Sequence, residues 1–315
     1  DCRFNLSQIP FKNSNDWLFN SSIENIDVID KLLIIGCDPR REASVLNSRI
    51  RQRWLTGALD ILSICTPDDL TYKSNSLGND ISILSDVNIQ KKIKDFFKGS
   101  SFPMIILGDS VMATKQGQKI HKITKILSQE SNLIRKDWKG FNILNKFASR
   151  VGGLTVGFVP YDGGMTSLEI KEALKNKKLK VIFLIEADDF KINENDLENI
   201  FSIYIGHHGD RFAGKADVIL PTSAFTEKKS LYLNLEGRPQ FTKAVISKPG
   251  LAVDSWKVFK ALDQKISSVI KFNNYEELLK AMFIEYPLLQ NKKYFQKEKW
   301  IMEKNINITL SSEVN

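Results

Sequence analysis

Three short stretches place residue types that do chemistry at spacings that could use them. The first is Gly36, Cys37, Asp38, Pro39 and Arg40, directly after an apolar run. A glycine between a strand end and a helix start is where open α/β sheets bind phosphates, because helix N-terminal N–H groups point outward there. No further glycines follow at the spacing of a dinucleotide fingerprint, and no Walker-type phosphate loop occurs in the chain. The plainer reading is a capping turn, with Asp38 as N-cap and Pro39 at the first helical position. The second stretch is Gly206, His207, His208, Gly209, Asp210 and Arg211, which holds two of the three histidines. Adjacent residues of an extended chain point to opposite sides, so this pair is not set to chelate one metal. Asp210 is near enough to hold either ring, but nothing nearby reads as a nucleophile. The third stretch is Ala216, Asp217, Val218, Ile219, Leu220 and Pro221, followed by Glu227, Asn234, Glu236, Gly237, Arg238 and Gln240. It reads as a buried strand stopped by Pro221 and then a polar loop. Asp217 opens the strand with a carboxylate that can accept backbone N–H groups, while Glu236 and Arg238 pair or fix the loop.

Around these stretches, β-branched runs alternate with segments of helical period, the pattern of parallel sheets flanked by helices. Strands are expected at 31–36, 59–65, 103–107, 180–186 and 201–205, with a further apolar run at 216–220. Helices are expected at 41–54, 87–98, 117–128, 138–151 and 167–176, with a short one at 194–199 and a mainly helical region from 254 to 302. Leu46, Ile50 and Trp54 recur every fourth residue and form the buried stripe of the first helix. Residues 72–86 and the polar segment up to Gly250 read as loop. The glycine-rich stretch 152–164 reads as a linker. This gives a first α/β lobe over 1–151, a second over 152–270, and a helical extension over 271–315.

Composition narrows the function classes. With 42% hydrophobic and 26% charged residues the chain is an ordinary globular sequence rather than a disordered one. No run approaches the roughly 20 apolar residues of a membrane-spanning helix. The net charge of +8 and pI near 9.2 come from lysines spread along the whole chain, which fits a solvated surface. No basic platform with interleaved aromatics is visible, so nucleic acid is not an expected partner. The cysteines Cys2, Cys37 and Cys65 form no C-x-x-C pair, so no zinc or iron–sulfur site is expected. Cys37 and Cys65 are expected to be small buried hydrophobes at the ends of apolar runs. The sequence starts at Asp1 rather than Met, and is expected to begin part-way through a longer product.

The third stretch, with its Glu227, Asn234 and Glu236–Gln240, resembles the molybdopterin oxidoreductase superfamily. The fuller set is similar to one branch, the largest iron–sulfur subunit of respiratory complex I. It comprises Gly206 to Asp210; Pro249 to Ala252 with Asp254 and Trp256; Gly36 to Arg40 with Glu42, Ala43, Asn47, Arg49, Ile50, Arg51 and Trp54; Asp69 to Tyr72; and Leu77 with Gly78. These positions run in the family's order from about Ile29 to Leu262.

The resemblance implies a molybdopterin-oxidoreductase-like α/β fold with Rossmann-like sheets in two lobes. It implies a structural module of the peripheral arm of complex I, on the matrix side of the mitochondrial inner membrane. Such a module is a subunit of an NADH:ubiquinone oxidoreductase without catalytic, cofactor-binding or metal-binding residues of its own. Iron–sulfur clusters would sit on a missing N-terminal half or a partner chain. The expected partners are that cluster-bearing half and the other arm subunits, the flavoprotein subunits among them. The branch is understood to have lost the molybdenum cofactor. Arg40, Arg49, Asp217, Glu236 and Arg238 are then expected to preserve internal contacts. The other reading is a molybdopterin-dependent oxidoreductase subunit with a bound cofactor, which needs a metal-ligating Cys, Ser or Asp that cannot be identified here. The sequence departs from the family at Ser230 and Leu231 before Tyr232, at Phe212 where glycine is usual, and at Cys37 where a polar residue is common.

Overall fold

Strands buried on both faces need continuous apolar runs, and the chain has two of these close to one another in space. The computed structural model describes residues 13–160, 164–187, 190, 192–209, 212–290, 300 and 302. The described residues divide into two compact units. The first holds 13–146 with Leu235–Gly237, Trp300 and Met302, and the second holds 147–234 and 238–290. The division thus falls between Lys146 and Phe147 rather than at 151, and the helix near 280 is part of the second unit.

The first unit runs β1 (Lys31–Ile35), α1 (Pro39–Glu42), α2 (Ser44–Leu55), β2 (Asp60–Ile64), β3 (Asn75–Gly78), α3 (Val87–Phe97), β4 (Pro103–Gly108), α4 (Asp109–Met112), α5 (Gly117–Glu130) and β5 (Phe141–Leu144). Its five strands are parallel, in the order β3-β2-β1-β4-β5. β1 pairs with β4 from Lys31–Pro103 to Ile35–Leu107, and every residue of β4 is buried. The helix expected over 41–54 is two helices, because Ala43 adopts an extended conformation between them. Asp38 does cap α1, its carboxylate accepting the Arg41 N–H, with Pro39 in the first turn. Leu46 and Ile50 are buried as the spacing requires, while Trp54 is only half-buried.

The helix expected over 138–151 is absent, and β5 stands in its place. Phe141, Asn142, Ile143 and Leu144 are all buried, and in so short a run the period cannot separate strand from helix. Asn142 is tolerated there because its Oδ1 accepts the Ser21 N–H at 2.8 Å. That bond belongs to a wider junction. Phe19 bridges Asn142 in antiparallel fashion, Leu18 O accepts the Ile143 N–H at 3.0 Å, and Asn20 Nδ2 donates to Phe141 O at 2.9 Å. The same early segment carries Asp16, whose carboxylate meets Lys125 Nζ of α5 at 2.7 Å with both groups buried. His121 Nε2 donates to the Asp16 carbonyl at 2.9 Å.

The second unit runs α6 (Arg150–Thr155), α7 (Ser167–Lys175), β6 (Val181–Ile185), β7 (Phe201–Gly206), β8 (Val218–Pro221), β9 (Ser230–Leu233), β10 (Pro239–Thr242), α8 (Ser255–Ile266) and α9 (Tyr275–Glu285). β6, β7 and β8 form a parallel sheet in that order, and β9 with β10 forms an antiparallel hairpin inside the segment read as loop. Gly152 and Gly153 lie within α6 rather than in a linker. Thr166 and Glu169 close a capping box at the start of α7. Leu174 of α7 packs with Ile182, Leu184 and Tyr204 in the second core.

Removing one member of the Asp16–Lys125 pair leaves a buried charge without its partner. Lys125→Met is expected to lower unfolding free energy by about 3–5 kcal/mol, read from urea denaturation. A change below about 1 kcal/mol would show that the pair is not a stabilising lock.

Candidate functional site

In an open α/β sheet the ligand crevice lies outside the carboxyl ends of the strands where the chain order reverses. In the first unit that point is between β1 and β4, where Gly36 and Cys37 meet Gly108 and α4. Gly36 has φ +58, which an alanine adopts only with strain, and a methyl there would overlap Val111 Cγ2. A methyl on Gly108 would overlap the Gly36 carbonyl oxygen and stand 2.7 Å from Cys37 Cβ. Ser110 Oγ donates to that same carbonyl at 2.8 Å. The two turns therefore touch, and Cys37, Val111 and Met112, all buried, occupy the crevice.

Its electrostatics are equally unsuited to a phosphate. Burial raises the Glu42 carboxyl above its usual range, with Asp38 and Asp109 adding to the effect and Lys146 opposing it. Burial also pushes the Cys37 thiol well above its usual value, and Glu42 and Asp38 push the same way. Cys37 is held as a neutral thiol, whereas a metal ligand must be a thiolate. A pterin or nucleotide phosphate does not fit this crevice.

The motif residues around it serve a different purpose. Arg40 forms an ion pair with Asp69 and also donates to the Asp69 carbonyl at 3.3 Å. Buried Asn47 donates to Leu70 O at 3.0 Å, and Arg51 Nε donates to Thr71 O at 3.2 Å. Thr71 needs this support, since its φ of +74 is unfavourable for a β-branched residue. The following Tyr72 is buried in the core, and burial pushes its hydroxyl far above the usual value. Arg49 pairs with Asp27 at 2.9 Å, and Arg53 Nε donates to Ile29 O at 2.8 Å. Sequence positions 40–53 and 69–72 thus come together as a clamp of side chains on backbone carbonyls.

The second set behaves alike. Asp217 is exposed, and its Oδ2 accepts the Ser202 N–H at 2.7 Å and the Ser202 hydroxyl at 2.9 Å. The backbone bond first, and then the hydroxyl, hold its carboxyl below the usual range. The stability it adds is present above the ordinary carboxylate pKa and is lost as pH falls through the lowered one. Glu227 accepts the Ala224 N–H at 3.0 Å. Buried Glu236 accepts the Ile23 N–H at 2.5 Å. The Arg238 N–H donates to Asn234 Oδ1 at 2.8 Å, closing the β9–β10 turn. Asp254, though partly desolvated, is held below the usual range by Lys248 at 2.7 Å and the Ser223 hydroxyl at 2.9 Å. The five residues named from sequence do not converge on one point: Arg40 and Arg49 brace the loops beside α2, Asp217 ties β8 to β7, Glu236 caps the 23–27 turn, and Arg238 closes the hairpin. Phe212, where the family has glycine, is fully buried in the second core.

The histidine pair differs from its expected geometry. The chain bends after β7, and the rings of His207 and His208 pack edge to face with centroids 4.6 Å apart. Asp210 and Arg211 lie outside the described residues. His207 Nδ1 instead faces Glu186 Oε1 at 3.6 Å, and Lys228 Nζ approaches the same oxygen at 3.4 Å. Glu186 went unnoticed in the sequence because only the parallel pairing of β6 with β7 brings their carboxyl ends together. Among the described residues no group of three or more His, Cys, Asp or Glu side chains could hold a metal ion. A cleft of about 540 Å³ opens at the amino ends of β7 and β8, lined in part by Glu198, Phe201, Lys215 and Asp217. It lies at the end of the strands opposite to the usual ligand-binding end.

This architecture is that of a known class: residues 2–265 match the molybdopterin oxidoreductase family, and the chain belongs to it. More particularly, it is 35% identical over 293 residues to a subunit of the NADH-quinone oxidoreductase of Rickettsia bellii, covering 91% of this chain and 41% of that protein. It is 36% identical over 296 residues to the NADH-ubiquinone oxidoreductase 75 kDa subunit of Reclinomonas americana, covering 93% and 42%. The chain spans about two fifths of the length of these relatives. Among solved structures, acetylene hydratase from Pelobacter acetylenicus aligns with a TM-score of 0.48 at 13% identity, over 80% of this chain and 48% of that one.

Two outcomes test the closed crevice. Gly36→Ala is expected to destabilise the first unit by more than about 2 kcal/mol, since strain and overlap add; a denaturation midpoint equal to wild type would show that the turns have room to part. Maleimide at neutral pH is expected to label exposed Cys65 rapidly and to spare buried Cys37 until the protein is unfolded. Equal labelling of the two, read by peptide mass spectrometry, would contradict the buried neutral thiol. Cys65 is itself a correction to the sequence reading, since it lies exposed just beyond β2 with φ +53.

Proposed function

We propose that this chain is a structural module of the peripheral arm of respiratory complex I, on the matrix side of the mitochondrial inner membrane. In this reading it carries no catalytic residue and no cofactor. Electrons pass from NADH to ubiquinone through clusters on an associated domain or chain, and this module packs against that cluster-bearing part and the neighbouring arm subunits, including the flavoproteins. The observation that carries the reading is the β1–β4 crevice, filled by Val111 and Cys37 where a ligand would sit. The motif residues support it by spending their polar atoms on loop carbonyls and turn N–H groups. The resemblance to the two complex I subunits supplies the assembly. No described helix is long and apolar enough to cross a membrane, consistent with attachment through partners.

The test is a native gel of detergent-solubilised respiratory membranes, stained for NADH dehydrogenase activity and probed for this chain. It is expected to co-migrate with the large active band, and the band's protein to lack stoichiometric molybdenum and pterin by elemental and fluorescence analysis. Migration apart from every NADH-oxidising assembly would refute the proposal. Stoichiometric molybdenum would replace it with a molybdopterin-dependent oxidoreductase.

A further inference from the structure

Parallel sheets bury both faces, because their crossover connections lie on both sides. The first unit obeys this, with β1 and β4 sealed above and below. The β6–β7–β8 sheet obeys it on one side only. Ile182, Leu184 and Tyr204 face the second core with α7. On the other side the register sets Val181 beside Phe201, Phe183 beside Ile203, and Ile185 beside Ile205, with Val218 and Leu220 continuing the last two rows. All eight positions are apolar. Val181 and Phe201 are each 49% exposed, and Phe183 and Ile185 each 42%. The opening is widest over β6 and closes toward Ile205, which is fully buried.

β6 is also the edge of its sheet, bonded only to β7. Its residues Val181, Ile182, Phe183, Leu184 and Ile185 include no charge, proline or glycine, the devices by which natural edge strands avoid unwanted pairing. An open apolar face and an unguarded edge on one strand both call for a further strand and its helix. The relatives are longer than this chain by about three fifths of their own length. We infer that the β6 edge and the outward face of this sheet seat an apolar strand–helix element supplied by the part of the relatives' sequence that this chain does not span, fused to it or carried on a separate polypeptide. This rests on the reading of the chain as one part of a larger complex I subunit. The occupant is a packing partner, and Val181, Phe183 and Phe201 are its contact points.

Hydroxyl-radical footprinting tests this with the full chain, alone and mixed with a polypeptide comprising the unmatched part of the Rickettsia bellii protein. Oxidation of Phe183 and Phe201 is expected to slow about fivefold or more in the mixture, as a 42–49% exposed ring becomes buried. Leu251, 88% exposed and on another surface, serves as the unchanged reference. Phe183→Asp points outward and is expected to leave the fold intact while abolishing both association and protection of Phe201. Protection that instead rises with the concentration of the chain alone would assign the face to a second copy and overturn the inference. So would absent protection in the mixture together with fast Phe183 oxidation in native complex I. The two readings fail separately: slowed oxidation in the mixture with migration outside complex I keeps this surface and refutes the assembly, whereas co-migration with fast oxidation does the reverse.

Discussion

The contact between the Gly36 and Gly108 turns decides the character of the first unit. Two parallel strands ordinarily splay apart beyond their carboxyl ends and leave a crevice. Here two glycines allow the backbones to meet, a serine hydroxyl ties one turn to the other, and Val111 fills what remains. Cys37 becomes core, its thiol kept neutral by burial and by the carboxylates beside it. A position that elsewhere receives a ligand has become an internal joint. The polar residues near it then have nothing to bind except the chain itself.

That redirection explains why residues with catalytic potential form no constellation. Arg40, Asn47 and Arg51 are drawn to the carbonyls of residues 69–71, and Glu236 and Asn234 to N–H groups of turns. Their worth is unequal. The exposed pairs Arg40–Asp69 and Arg49–Asp27 contribute at most about 1 kcal/mol each. Asn47 and Glu236 are buried, so deleting either strands a backbone partner at a cost of about 1–3 kcal/mol. Shape in these loops is held mainly by the buried members.

Much of this was legible from residue pattern. The central strands announced themselves as uninterrupted apolar runs, and Asp38 with Pro39 marked a helix start that the structure keeps. What failed did so for identifiable reasons. β5 is four residues buried on every side, where helical and strand periods look alike. The β9–β10 hairpin hides in a polar stretch because its outer face is exposed, as at Gln240 and Phe241. Of the polar constellations, the chain order displayed one member at a time: Asp217 without Ser202, His207 without Glu186, and Lys125 without Asp16. Partners that only parallel pairing or tertiary packing brings together leave no spacing to read.

The junction between residues 17–21 and β5 sets an order on the folding of the first unit. Leu18, Asn20 and Ser21 find their partners at Ile143, Phe141 and Asn142, more than 120 residues further along the chain. Closing so long a loop carries an entropic penalty that local contacts do not repay, and non-local pairings of this kind slow folding. On the ribosome, the earliest segment of this unit must wait for its last strand to be synthesised. Until then the β1–β4 sheet has an unfinished flank, and its fully apolar strands are in need of shelter.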